Sequence, residues 1–299
     1  QLKLGVMYER GDGVVQDYKQ AIYWYRKASE QGNADAQFHL GVMIDEGKGV
    51  FKNRIEAAKW YRKSAEQGHV KSQNKLGIMY EEGIGVPQDY TQSAYWYRKA
   101  AEQGYAKSQD RLGLLYLHGK GVPQFDTQAF YWFRKAAEQG YASGQNNLGY
   151  MYAEGKGVSK NDTEAVYWYR KSAEQGNGVG QTYLGCMYYA GLGVSQDDAK
   201  AAHWFKKGAE QGNVIAQSNL GGMYYLGQGV PQNYAQAFYW YRKAAEQGDA
   251  LAQNNIGAFY KKGKGVTQDD KQALYWFRKA AAQGHRVAQT SLDSMLGKP

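Results

Sequence analysis

The chain has 299 residues, with 37 Lys plus Arg against 28 Asp plus Glu, and carries a formal net charge of +9. Its 8 Trp, 27 Tyr and 9 Phe are too many for a disordered chain, and it has no apolar run near the roughly 18 residues that a bilayer-spanning helix needs. A single Cys excludes an internal disulfide framework and a thiolate zinc cluster.

From the N-terminus the chain opens at Gln1-Leu-Lys-Leu-Gly5, which reads as the interior of a helix and has no initiator Met. The native start is therefore expected upstream, with room for a removed signal peptide. A period then dominates. The tryptophans fall at 24, 60, 96, 132, 168, 204, 240 and 276, every step being 36. Glycine series beginning at Gly5, Gly11, Gly13 and Gly32 keep the same step without an insertion. A repeat of this length implies stacked units that share one continuous core. The expected repeats are 1–36, 37–72, 73–108, 109–144, 145–180, 181–216, 217–252 and 253–288, followed by a capping helix at 289–299.

Each repeat reads as two helices. In the second, Ala34–Glu46 places Ala36, Leu40, Met43 and Ile44 on one face, and Gly47 stops the helix as a left-handed residue. Asn53 caps the next helix, and Asp17, Asp89, Asn161, Asp197, Asn233 and Asp269 occupy the same place. Repeat four has Phe125 there, so its cap is expected to move to Asp126. Ala57, Trp60, Tyr61 and Ser64 form the packing stripe of the second helix. Gly41 sits inside a helix at a cost of about 1 kcal/mol against Ala. Its recurrence suggests that a neighbouring helix backbone comes too close for a side chain, with Trp filling the wedge between repeats. At the far end Asp293 replaces that Gly, and Thr290, Ser291, Asp293 and Ser294 suit a terminal helix with one wet face.

The charge excess has one source. Pairs at the Arg26 and Lys27 positions supply 16 basic residues and Glu30 equivalents supply 7 acidic ones, leaving 21 of each sign elsewhere. This stripe reads first as a solvated face with weak ion pairs, and secondly as a surface for nucleic acid or anionic lipid. His39, His69, His118, His203 and His285 show no metal-ligand spacing. Gly47-Lys-Gly49 and its copies lack the strand and the Gly-Lys-Ser/Thr of a phosphate loop. Cys186 has no nearby His to act as base. Asn161-Asp-Thr163 is a formal glycosylation sequon, a weak signal by itself. No catalytic set, cofactor site or metal site is expected.

The pattern A-x-x-x-L-G-x-M-Y-x-x-G-x-G-V-x-Q-D-x-x-x-A-x-x-W-Y-R-K-A-A-E-Q-G, seen well from Ser72 to Gly104, resembles the Sel-one-like repeat, a relative of the tetratricopeptide repeat. Ser72 and Ser93 stand where the pattern has Ala and keep those positions small. The resemblance covers essentially the whole chain. It implies an all-α, right-handed α/α superhelical solenoid and a non-enzymatic adaptor for a protein or peptide. Such proteins are often bacterial and often secreted or periplasmic. A monomer is expected, without nucleic acid or a membrane span. By the same resemblance the first helices line the inner, concave surface.

Residues that vary between repeats on that surface are the binding candidates. The helix wheel places equivalents of 35, 38, 42 and 45 on the groove side, with 46 at its lip. Glu9, Asp35, Asp45, Glu46, Glu81 and Glu82 give an acidic entrance. Leu114, Leu117, Tyr150, Val179, Cys186, Tyr189, Ile215, Tyr225 and Leu226 give an apolar, Tyr-rich centre. Leu251, Asn254, Lys261 and Lys262 form a basic exit. Packing between adjacent first helices competes with this reading, most of all for Val179, Ile215 and Leu251. The leading expectation is a scaffold that holds a peptide or protein in this groove. The alternative is a nucleic-acid or anionic-surface binder using the Arg-Lys stripe.

Overall fold

A computed structural model describes residues 1–297; the last two residues of the expected capping helix, Lys298 and Pro299, lie outside the described residues. Among the described residues there are 17 α-helices and no strand. The first helices are α1 (Leu2–Arg10), α3 (Ala34–Glu46), α5 (Val70–Glu82), α7 (Ala106–His118), α9 (Ala142–Glu154), α11 (Gly178–Ala190), α13 (Val214–Leu226) and α15 (Ala250–Lys262). The second helices are α2 (Tyr18–Glu30), α4 (Arg54–Glu66), α6 (Tyr90–Glu102), α8 (Asp126–Glu138), α10 (Asp162–Glu174), α12 (Asp198–Glu210), α14 (Tyr234–Glu246) and α16 (Asp270–Ala282), and α17 (Arg286–Met295) closes the series. From α1 to α8 in unit 1, and from α10 to α17 in unit 2, each helix packs on the next in sequence, a solenoid-like arrangement within each of two compact units. Unit 1 is Gln1–Met151 with Lys156–Ser159, and unit 2 is Tyr152–Gly155 with Lys160–Pro299.

Side-chain oxygens cap the second helices as expected: Asp89 accepts from the Thr91 and Gln92 amides at 2.8 and 3.0 Å. Repeat four departs from expectation. Its helix still starts after Phe125, which offers no side-chain cap, and Asp126 is already helical. The turn fixes this register: the Phe125 amide donates to the Tyr116 carbonyl at 3.0 Å, as the Asp89 amide does to Tyr80 at 2.9 Å. Packing between repeats outweighs a cap worth about 1 kcal/mol.

The helical glycine is explained differently from the expectation. A Cβ on Gly41 would lie 2.8 Å from the Tyr61 ring, and one on Gly113 would lie 2.6 Å from Phe133. A buried aromatic of the partner helix, rather than its backbone, occupies the space. Close backbone approach occurs instead at the second glycine of the turn. A Cβ on Gly49 would sit 2.7 Å from the Tyr18 carbonyl carbon, and Gly121 lies against the backbone of Tyr90 and Thr91. From the second repeat on, the turn thereby seats on the start of the preceding second helix.

Buried glutamines join the helices in a way that the hydrophobic pattern does not display. Gln109 donates to the Ala101 carbonyl at 3.0 Å and accepts from Gln139 at 2.7 Å, so one side chain bridges α6, α7 and α8. Equivalent pairs are Gln67 on Gln37, Gln103 on Gln73, Gln211 on Gln181, Gln247 on Gln217 and Gln283 on Gln253. A buried amide left unpaired costs about 1–3 kcal/mol, so these bonds also fix the register. The tryptophans bridge repeats as expected. Trp96 packs in a cluster with Ala57, Tyr61, Leu76 and Met79, and Trp132 packs against Tyr97, Leu112 and Leu115. At the C-terminal end α17 begins at Arg286, earlier than the expected cap. It buries Ala288 and Leu292 and leaves Thr290 and Ser294 exposed.

A candidate docking groove on the first helices

The wheel expected for the first helices is turned by one residue at one position. Asn74, Asp110, Asn146 and Thr182, equivalents of 38, are buried. They pair along the stack: Ser108 donates to Asn74 at 3.1 Å and Asn147 donates to Asp110 at 2.7 Å. Burial pushes the Asp110 carboxyl up to about 6. Asn254, an expected contact residue, is a half-buried member of this set, as are Phe38 and Ser218, and its Oδ1 is enclosed without a hydrogen-bond partner.

In unit 1 the acidic candidates are engaged within the chain. Glu9 accepts from the Tyr25 hydroxyl and lies 3.5 Å from His39, whose ring stacks on Tyr25. Glu81 accepts from Tyr97 at 2.7 Å and faces Arg111 at 3.7 Å. Asp45 faces Arg54 at 3.7 Å and Lys75 at 4.0 Å. A buried tyrosine hydroxyl needs an acceptor, and the carboxylate one turn along the first helix supplies it. Leu114 is half-buried and Leu117 is buried at 7 % exposure, so Leu117 belongs to the packing and not to an open surface. Tyr150, half-buried, accepts from Lys156 at 3.0 Å.

In unit 2 the variable residues form real concavities. A recess of about 280 Å³ is lined by Tyr189, Ile215, Asn219, Gly222, Met223, Leu226 and Leu251 among others. Ile215, Leu226 and Leu251 are 50 %, 59 % and 53 % exposed, well beyond packing residues, and Tyr189 is 39 % exposed. A second recess, of about 130 Å³, is lined by Tyr225, Tyr241, Asn255, Ala258, Phe259, Lys262 and Lys264. Tyr241 lines both. The stripes 215, 219, 222, 226 and 255, 258, 262 follow helical spacing, so the equivalent of 39 faces outward where 38 was expected to. Burial and the nearby Tyr225 and Asp249 push the Tyr241 hydroxyl up to about 12, so it stays protonated near neutrality. Cys186 is half-buried and its thiol is pushed by burial to about 11, which leaves little thiolate for nucleophilic chemistry. Lys261 is exposed at the end of α15.

The Arg-Lys stripe is more structured than a solvated face. Lys99, Lys135 and Lys171 lie over the exposed rings of Tyr95, Tyr131 and Tyr167 at 5.6–5.7 Å. Each of these rings meets the adjacent Trp edge-on. Arg62 and Arg98 donate to the tyrosine hydroxyls of the next repeat, Tyr80 and Tyr116, at 2.5 Å. The tyrosine that precedes Trp in six of the eight repeats is about half exposed. Such ring contacts are worth about 0.5–1 kcal/mol each at exposed sites. His69 also has a structural role, accepting from the Ser72 amide as the cap of α5.

Paired helices of fixed length and an uninterrupted period define a helical repeat protein. The Sel1 repeat family matches in eight consecutive stretches, at 1–33, 34–69, 70–105, 106–141, 142–177, 178–213, 214–249 and 250–285, and the chain belongs to that family. Its fold is similar to a protective antigen of uropathogenic Escherichia coli, c5321, at 40 % identity and a TM-score of 0.77, covering 98 % of this chain and 71 % of that one. A Sel1 repeat protein from Oxalobacter formigenes is 35 % identical with a TM-score of 0.76, covering 98 % of this chain and 85 % of that one. The comparison with curated proteins found no match. Sel1-repeat proteins are commonly non-enzymatic scaffolds for protein–protein interaction. Among the described residues no helix is long and apolar enough to cross a membrane.

Proposed function

We propose that this chain is an adaptor that holds an extended peptide, or a helix of a protein partner, in a concave groove formed by the first helices of unit 2. The observation that carries the reading is the pair of adjoining recesses bearing exposed Tyr189, Ile215, Leu226 and Leu251. Exposed aliphatic side chains around an aromatic-lined hollow are costly to leave in water and are regained on binding. Tyrosine supplies contact area at low entropic cost together with a hydroxyl for backbone groups. Of the remaining expected contacts, Cys186, Asn254 and Lys261 lie on first helices of unit 2, the first two half-buried and the third exposed at the end of α15, while Glu9, Asp45, Glu81, Leu114 and Tyr150 belong to unit 1.

The test is a quantitative pull-down of partners from the native host, followed by titration of the captured partner with wild type and with a Tyr189→Ala plus Tyr225→Ala double variant. The expected loss of affinity is at least about ten-fold, as for truncation of interface aromatics. Unchanged affinity in a variant that keeps its helical circular dichroism rules the groove out.

A further inference from the structure

The floor of the first-helix face changes along the chain. Position 42 and its equivalents hold Val42, Ile78, Leu114 and Tyr150, then Cys186, Gly222 and Ala258. Large side chains fill the floor in the earlier repeats. At Gly222 the floor is missing: a Cβ there would meet only the Tyr241 hydroxyl, at 3.2 Å. Around that gap stand Tyr189, Ile215, Leu226 and Leu251, so the hollow is walled by apolar groups and open at its centre.

The charge differs between the two recesses. Asp249 lines the first recess as the cap of α15: it accepts from the Ala252 amide at 2.6 Å and from Ser218 at 3.3 Å. Lys262 and Lys264 line the second recess, and among the described residues neither forms an ion pair. Lys264 is held over the Tyr225 and Tyr234 rings at 5.4 and 4.9 Å, which keeps its ammonium at the mouth of that recess.

We infer that the two recesses flanking Tyr241 select an acidic–apolar peptide segment, one bulky apolar side chain entering the gap above Gly222 and a neighbouring carboxylate meeting Lys262 and Lys264. This rests on the groove reading above and adds the partner's chemistry. The apolar side chain supplies burial, and the two ammonium groups set orientation and speed encounter. A basic segment would bring like charges together at the second recess.

Gly222→Leu is the informative variant. Leu114 and Ile78 occupy the equivalent place in other repeats, and leucine favours a helix over glycine by about 1 kcal/mol. The variant therefore folds while filling the gap. The experiment is fluorescence anisotropy on the full chain with three short labelled peptides: Phe and Leu among Asp and Glu, Phe and Leu among Lys, and Ser among Asp and Glu. The first peptide is expected to bind at least about ten-fold more tightly than either other. Its affinity is expected to fall at least about ten-fold with Gly222→Leu and also with Lys262→Glu plus Lys264→Glu. Equal binding of the two apolar peptides, or indifference to the lysine reversals, overturns the inference and leaves the groove reading standing. Binding that survives both Gly222→Leu and Tyr189→Ala puts the peptide elsewhere and overturns both. Failure of all three peptides to bind overturns the inference, with the double-tyrosine experiment still deciding the groove.

Discussion

Gly121→Ala is expected to destabilise the protein by about 3 kcal/mol. The residue has a φ of 68°, a region that costs an L-residue about 1–2 kcal/mol. A methyl group there also points into the backbone of Tyr90 and Thr91, at the start of the preceding second helix. Backbone cannot rotate aside as a side chain can, so the turn must lift from its seat, a change comparable to overpacking at about 1–3 kcal/mol. Gly104→Ala separates the two contributions. It has a φ of 88° but nothing within 4 Å of a Cβ, so only the conformational cost applies. Urea unfolding of the two variants and wild type checks this. Because the contact joins neighbouring repeats, its loss weakens the coupling between them and broadens the transition as well as lowering its midpoint. Equal costs for the two substitutions would mean that the turn does not bear on the preceding helix.

Asp110→Asn is expected to stabilise the protein above neutrality, by up to about 3 kcal/mol. Asp110 is 4 % exposed and its carboxyl is pushed from 3.8 to about 6 by burial, only partly opposed by the Asn147 hydrogen bond and Arg111. The folded state thus holds the proton more tightly than the unfolded state. Stability contributed by the protonated form is fully present below about pH 4. It is lost as the pH rises through about 6, and the penalty is complete above that. Two pH units correspond to about 3 kcal/mol. Asparagine has the same shape, still accepts from Asn147, and is the residue found at 74 and 146 on either side. The difference in stability between variant and wild type should therefore be near zero at pH 4 and grow between pH 4 and pH 7. A flat difference, or a variant weaker than wild type at pH 8, would show that the carboxylate is solvated or paired in the folded protein.

The repeat was legible because its causes are local. Glycines with positive φ stop the first helices, Asp or Asn opens the second, and one aliphatic stripe recurs every 36 residues. What escaped was set by neighbours. Phe125 breaks the capping rule, yet the turn hydrogen bond to Tyr116 holds the helix start in place. The equivalents of 38 and 39 lie about 100° apart on a helix wheel, at the edge of the outward face. Which of them is buried depends on how adjacent first helices lean together, and no single helix encodes that. Glu9 and Glu81 read as a free acidic entrance because the tyrosines that donate to them lie sixteen residues away on the partner helix. The tyrosine before Trp in six repeats is about half exposed although the aromatic that follows each Trp is core. Polar Lys59 and His203 at its place in two repeats were the available signal that this position faces out.

The most direct measurement is the chemical-shift response of labelled tyrosine rings and isoleucine and leucine methyls to a bound acidic–apolar peptide. Tyr189, Ile215, Leu226 and Leu251 should shift while Tyr95 and Tyr131 stay in place. Shifts confined to Tyr95, Tyr131 and their neighbours would move the binding surface to the second helices and contradict the groove.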